Sequence, residues 1–538
     1  MLITNNDKYK EFNMIESVCC DIFFIYNSYE EKSLNIIENT SLVVMVKGEL
    51  FDVDLNKIVN VLENEQIFNI DKLVGNICGD FLLLIYDKRD KSLHCYRDQM
   101  GHLPCYYLLE NKIFYIFTSY KDLFSIKNDK MKICIPYILQ YIIYCPAGYL
   151  ESKYTPFQGI FRINPGNCIV LKEGVIIKYK YYNFSARRKK RTEISKFEDA
   201  VKKAIKMMYT QTSVVPLSGG LDSSLILNIA SQVSTGKIKA LNYYSESDPE
   251  QFDESEWIDM ATKSCLCELI KVPLNHSVPT TFEKQSFIDS FYDEPGVLLN
   301  EDDAIKIAKV MKKNKIDSAL YGFGENIYSI YKNSLVVLLD KTNRKHHKKL
   351  IDEYMSGVDD RQQSIIILKD VYKNSPYIER RSLWDSPIEN IYDLIYFVGL
   401  APYNECHGYF PVESIEVKWR YPLHNKYILE YFMSHSTNKR LLKTYKYHLK
   451  KIAKKYIDER IIKRPKTSAY SNIYQLLVDY INETSLECVK QIGVFDEYAL
   501  GNLLDDYRFG KNGNTRLLFA LVSLDIFLKT NNNILLEV

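Results

Sequence analysis

Short apolar runs separated by Gly, Asn, Asp and Lys dominate residues 42 to 185: SLVVMVKG, GDFLLLIYD, KSLHCYRD, KIFYIFTS, GNCIVLKEG and VIIKYKYY. Apolar runs of this length between turn formers read as strands, joined here in hairpins and meanders. From about residue 193 the spacing changes. FEDAVKKAIKMM carries apolar residues at helical intervals, and strand-like runs such as SVVPLSGG and KALNYYS fall between helical stretches. That alternation predicts a parallel α/β sheet. Beyond residue 380 the chain reads as largely helical. The basic run Arg187 to Arg191 sits where the pattern changes and reads as a solvated linker. The expected division is therefore 1–186 and 187–538.

Length and composition narrow the class. A chain of 538 residues with 46% hydrophobic and 26% charged residues has the material for more than one packed core. Lys+Arg less Asp+Glu is 70 − 68 = +2, so no global field calls for a nucleic-acid partner or an anionic bilayer. The apolar runs are too short to cross hydrocarbon, which takes about 20 residues. MLITNNDKYKEFN lacks the apolar stretch and cleavage site of a secretory signal, making the cytoplasm the expected compartment. The 12 cysteines show no paired C-x-x-C spacing and read as reduced and mostly buried.

The segment richest in chemistry is Ser213 to Ala230, SVVPLSGGLDSSLILNIA. An apolar strand runs into a Ser-Gly-Gly turn, and Asp-Ser-Ser opens an apolar helix. Backbone N–H groups at glycines, two hydroxyls and the positive end of a new helix together build an oxyanion cradle. Asp222 is out of place in a pure anion site unless a divalent cation separates it from phosphate, which brings magnesium into the reading; its alternative is a helix cap.

At these residues the sequence resembles the PP-loop ATP pyrophosphatases, and further segments resemble the asparagine synthetase branch. GDFLLLIYD (79–87), RDQMGHLPCYY (97–107) and FQGIFRINPG (157–166) are similar to landmarks of its glutaminase-type domain. DESEWIDMA (253–261), DEP (293–295), YGFGENI (321–327), RYP (420–422) and RPK (464–466) are similar to landmarks of its synthetase domain. The resemblance implies an Ntn-hydrolase-like α-β-β-α sandwich over 1–186, and over 187–538 a parallel-sheet α/β domain with a helical C-terminal part. It further implies cleavage of ATP to AMP and pyrophosphate with Mg²⁺ as cofactor. Ser218, Gly219, Gly220, Ser223, Ser224, Gly322 and Gly324 are then the expected nucleotide contacts, and Asp222 with Glu325 or Asn326 the expected metal ligands. Lys466 is the expected stabiliser of the tetrahedral oxyanion. Asp253 and Glu254 stand evenly between helix capping and the nucleotide site, and Arg464 between a phosphate contact and an ion pair.

Departures from the family pattern shape the functional expectation. A glutaminase of this type uses a mature N-terminal Cys whose own amine is the base, whereas residue 2 is Leu, and Cys19 and Cys20 would require processing. Lys47 stands before Gly48 where an amide donor is expected. The N-terminal domain is thus expected to make no ammonia. The members with a dead amidase domain join an activated carboxylate to an amine of the same molecule: β-lactam and carbapenam synthetases and lasso-peptide cyclases. The lasso-type reading implies macrolactam formation on a ribosomal precursor peptide, with a leader peptidase and a leader-binding protein as partners. β-Lactam-type chemistry, ammonia-dependent asparagine synthesis and a noncatalytic paralogue are the alternatives. Phe323 stands where β-lactam synthetase has a Tyr of its base dyad, which leaves Glu405 as the candidate base. His346 and His347 lie in a basic run without the spacing of a helical metal pair and read as solvated, and Trp257, Trp384 and Trp419 read as core or interface aromatics.

Overall fold

The computed structural model describes residues 2–4, 23–25, 34–64, 70–127, 130–144, 154–182, 193–245, 254–274, 294–295, 301–322, 324, 330–331, 360–375, 417–434, 441–442, 446–465, 473–512, 515–531 and 534–535. Two antiparallel sheets form the N-terminal half. One runs in the order Val175–Lys180, Asn167–Lys172, Ser92–Arg97, Gly79–Asp87, Leu42–Leu50, Leu34–Glu38. The other runs Phe161–Arg162, Tyr106–Glu110, Ile113–Phe117, Leu2–Thr4, Phe23–Ile25. Two-residue turns close the hairpins at Asn111-Lys112 and Glu173-Gly174, with both central residues at positive φ, the type I′ geometry that matches strand twist.

The run GDFLLLIYD has no polar face because both of its faces are covered. Leu82, Leu84 and Tyr86 point between the sheets, against Phe114, Ile116 and Leu171. Phe81, Leu83 and Ile85 point outward, under Ile58 and Leu62 of the helix Leu55–Asn64 and Val74 of the helix Ile70–Asn76. Helices Tyr120–Ile126 and Ile135–Tyr144 cover the outer face of the second sheet. The layers are therefore α-β-β-α.

The second half contains the expected parallel sheet, in the order Cys267–Leu274, Ile238–Ser245, Ser213–Pro216, Ser318–Leu320, Lys418–Arg420. Numbered along the chain, this is 3-2-1-4-5. The order reverses beside Ser213–Pro216, and in open α/β sheets ligands bind at the carboxyl ends of strands at such a switch point. Alternate residues of the central strands enter opposite cores. Val215 and Ala240 pack toward the helices Ile194–Met208 and Leu221–Val233, and Val214 and Leu241 toward Glu301–Lys313.

The C-terminal helices differ from the expected arrangement. Leu477, Leu503, Leu517 and Leu521 do not pack on the parallel sheet. They share one core with Tyr106, Phe117, Tyr137 and Tyr141 of the N-terminal half. Strand Ile534–Leu535 also pairs with Met131–Lys132. A buried ion pair reinforces this join. Arg162 and Glu294, 1% and 3% exposed, bond directly, and Tyr137 Oη donates to Glu294 Oε2 at 2.5 Å. The described cysteines are free thiols, and no helix among the described residues is long and apolar enough to cross a membrane.

Candidate active site

The strand Ser213–Pro216 ends on Leu217, and the chain turns through Ser218, Gly219 and Gly220 into the helix Leu221–Val233. Gly219 has φ +62°, and a Cβ there would come within 2.5 Å of Trp257 Cβ, so the turn requires glycine. Trp257, read from the sequence as a core or interface aromatic, is thus the wall on which the loop rests. Ser218 and Ser223 face each other across the turn, Oγ to Oγ at 3.3 Å. Ser224 N bonds Gly220 O at 3.1 Å, closing the first helical turn.

Asp222 does not cap this helix. Gly220 holds the cap position without a side-chain bond, and Asp222 Oδ2 instead pairs with Lys446 Nζ. Asp222 Oδ1 and Ser224 Oγ are buried and have no hydrogen-bond partner among the described residues. Leaving such atoms unmet costs about 1–3 kcal/mol each, which marks the loop as a place built for something else to bind. A cation fits the open carboxylate oxygen, and an anion fits the hydroxyl and the helix start.

Lys446 was not singled out by sequence. It is 8% exposed and takes a left-handed backbone conformation, φ +55°, immediately before the helix Tyr447–Ala453. A non-glycine residue there costs on the order of 1–3 kcal/mol and belongs with residues held in place by their surroundings. Among 70 Lys and Arg, nothing in KTYKYHLKK sets this one apart.

Arg464 braces the loop from the other side. Its Nη1 donates to Ser218 O at 3.0 Å and Nη2 to Glu254 Oε1 at 2.8 Å, while the guanidinium lies 5.0 Å from the Trp257 ring centroid. The ion pair that is one of the two readings of Arg464 is present, with Glu254 as its partner. Glu254 precedes the helix Ser255–Thr262 without a side-chain capping bond. Burial raises its pKa, and Arg464 only partly offsets that.

Gly322 belongs to the same site: a Cβ on it would sit 3.0 Å from Ser223 N and 3.2 Å from Asp222 Cβ. Gly324, at φ +131°, abuts Leu423 O and His424. Asp253, Phe323, Glu325, Asn326, His346, His347, Trp384, Glu405 and Lys466 lie outside the described residues, as do Cys19, Cys20 and the Arg187–Arg191 run.

In the amidase-type half, Lys47 Nζ donates to Thr118 Oγ1 at 2.9 Å. Glu49 reaches across to the parallel sheet. Its Oε1 accepts from Arg420 Nη2 at 2.8 Å and Lys418 Nζ at 3.0 Å, and its Oε2 from Arg420 Nε at 2.9 Å. The RYP segment thus serves as a joint between the halves.

Profiles of two families match the chain: a glutamine amidotransferase domain over residues 63–182, and asparagine synthase over 195–320 and 413–529. The chain thus carries an amidotransferase-type domain followed by an asparagine synthase domain. A putative glutamine-hydrolyzing asparagine synthetase 2 of Methanocaldococcus jannaschii is 24% identical over 298 residues, 50% of this chain and 56% of that one. The glutamine-hydrolyzing asparagine synthetase 1 of Bacillus subtilis is 26% identical over 219 residues, 38% of this chain and 34% of that one. The match thus spans about half the length of the first relative and about a third of the second. Among solved structures, glutamine phosphoribosylpyrophosphate amidotransferase of B. subtilis aligns over 56% of this chain and 66% of that one, with TM-score 0.21 and 8% identity. That likeness is too slight to carry a conclusion.

Proposed function

We propose that this chain is an ATP-dependent amide ligase. A substrate carboxylate attacks the α-phosphorus of ATP, the bond to the β-phosphate breaks, and pyrophosphate leaves. An amine then attacks the acyl adenylate, the carbon–nitrogen bond forms and AMP departs. The observation that carries the reading is the Ser218–Ser224 loop at the sheet's switch point, where Asp222 Oδ1 and Ser224 Oγ are buried without partners.

In this reading the hydroxyls of Ser218, Ser223 and Ser224 and the backbone at Gly219 and Gly220 hold the pyrophosphate portion. Gly322 keeps the neighbouring loop close to Ser223. Asp222 would hold Mg²⁺ through the oxygen that Lys446 leaves open, with Glu325 or Asn326 as proposed further ligands. The ion would neutralise phosphate charge there. Lys446 is the cation beside the loop and is suited to stabilising negative charge on phosphate or on the tetrahedral oxyanion. Lys466 is retained as a second candidate for that role, and Glu405 as the base that takes the amine proton.

The narrower proposal is intramolecular macrolactam formation on a ribosomal precursor peptide in the cytoplasm, with a leader peptidase and a leader-binding protein as partners. The printed names of the relatives favour a second reading, asparagine synthesis, proposed here from free ammonia. The test is pyrophosphate and AMP release from full-length protein given ATP, Mg²⁺ and either a precursor peptide or aspartate with ammonia. Peptide-dependent release supports the first reading and ammonia-dependent release the second. No substrate-dependent release, with nucleotide or peptide still bound, would leave a noncatalytic paralogue.

A further inference from the structure

A buried cluster at the joint of the two halves takes no part in the proposed amide chemistry. Asp80, Asp98 and His102 each offer a ligand atom, and these atoms lie within 4.8 Å of one another. Asp98 is fully buried and His102 is 9% exposed. Backbone N–H groups of Met100 and Gly101 hold Asp98 Oδ1 at 2.7 and 2.6 Å. Asp98 Oδ2 is buried with no partner among the described residues.

The histidine shows the same one-sided pattern. His102 Nδ1 lies 2.5 Å from Asp80 Oδ1, while His102 Nε2 is buried without a partner. A carboxylate on Nδ1 fixes the tautomer with the proton on that atom and leaves the Nε2 lone pair free, which is how metal-binding histidines are commonly oriented. From the other half, the fully buried His424 brings its ring centroid to 5.0 Å from that of His102, and Tyr421 stacks on His102 at 5.2 Å. Gly324 lies against His424, where a Cβ would be 2.4 Å from His424 Cβ.

Arg97, the neighbouring cation, bonds to backbone carbonyls. Arg97 donates Nη1 to Ile163 O at 2.7 Å and Nη2 to Gly101 O at 2.8 Å. Native cores rarely leave a buried carboxylate oxygen and a buried imidazole nitrogen unmet in one cluster of residues, and an absent ion is one reason they do. Imidazole nitrogen with few oxygens suits zinc and its neighbours rather than magnesium or calcium. The Asp80 side chain is 14% exposed and gives the cluster an edge toward solvent.

We propose that Asp98 and His102 bind a divalent cation of the zinc class in this cluster at the joint of the two halves, with Asp80 as the carboxylate that orients His102 and His424 of the other half packed against the His102 ring. The ion is separate from the magnesium of the nucleotide loop, and its binding does not depend on the ligase reading.

The test uses full-length protein stripped with a chelator and titrated with Co²⁺ and then Zn²⁺. The expected result is stoichiometric Co²⁺ uptake with visible d–d bands, no thiolate-to-cobalt band, displacement by Zn²⁺, and a rise in unfolding temperature. His102→Gln and Asp98→Asn lose these bands, and Asp80→Asn weakens Zn²⁺ binding roughly 10- to 100-fold. Far-ultraviolet circular dichroism of each stripped variant separates lost binding from lost folding. Replacing Cys265 and Cys267 with Ser leaves binding unchanged. The proposal is overturned if the stripped wild-type protein takes up no Co²⁺, if a thiolate band appears and disappears with those cysteines, or if folded His102→Gln binds as wild type does.

Discussion

Glu49 and Asp222 are both carboxylates that meet cations from the C-terminal part of the chain, and they end in opposite states. Glu49 has both oxygens bonded, by Arg420 and Lys418. Asp222 has one oxygen paired with Lys446 and the other buried and unmet. A fully bonded carboxylate stabilises a joint and has no capacity left for a ligand. A half-bonded one in a glycine turn has given up stability that a ligand can restore. The same contrast separates the neighbours of these two residues: Lys47 and Glu49 are engaged in structural contacts, whereas the Ser218–Ser224 loop keeps an unmet carboxylate oxygen and an unmet hydroxyl.

The sharpest way to break this comparison is kinetic. Asp222→Asn and Lys446→Met should each lower substrate-dependent pyrophosphate release by about 100- to 1,000-fold, or about 3–4 kcal/mol of barrier. Glu49→Gln should leave the rate within a few-fold. Equal losses in all three variants would end the distinction.

Next in size is the buried pair. Arg162→Met leaves Glu294 buried without its cation and should reduce unfolding free energy by about 3–5 kcal/mol, measured by denaturant titration. Pyrophosphate release should be little changed in the protein that remains folded.

Glu49→Gln should cost about 1–3 kcal/mol. Burial alone would raise the Glu49 pKa, but Arg420 and Lys418 outweigh it and hold the value below the ordinary 4.5. The stabilisation is therefore complete above pH 4.5 and is lost as pH falls through the lower folded value. Wild type and Glu49→Gln should thus converge in stability as the solution is acidified below that point. A gap that persists in acid would mean that the loss comes from packing.

The smallest effect is expected from Lys47→Asn, which restores an amide before Gly48. On the expectation of an inactive amidase-type half, glutamine should release no ammonia in this variant or in wild type, as read by a coupled ammonia assay, because an amide donor is not a nucleophile.

Much of the fold was legible because its signals are local. SVVPLSGGLDSS couples an apolar strand, a glycine turn and a helix start in a dozen residues, and the structure builds these elements in that order. IPYILQYIIY was harder to read. This helix is apolar nearly all round because the second sheet and the C-terminal helices enclose it, so it shows little of the polar face that marks a helix in sequence. The site was legible only where one segment supplied it. Lys446 and Arg464 reach the loop from more than 200 positions away, |i−j| of 224 and 246, and their chemistry is shared with every other basic side chain. The division at residue 186 follows the change in pattern, but Leu517 and Leu521 pack beside Tyr137. Apolar periodicity shows that a face is buried without naming its partner.

That shared core also sets an order of assembly. A ribosome delivers Tyr106, Tyr137 and Tyr141 hundreds of residues before the helix Thr515–Thr530 that encloses them. Throughout that interval the nascent sandwich presents an oily flank to its surroundings. Folding of this flank therefore depends on shielding until the helix Thr515–Thr530 has been made, and a truncation before Thr515 should yield a sticky fragment rather than an autonomous module.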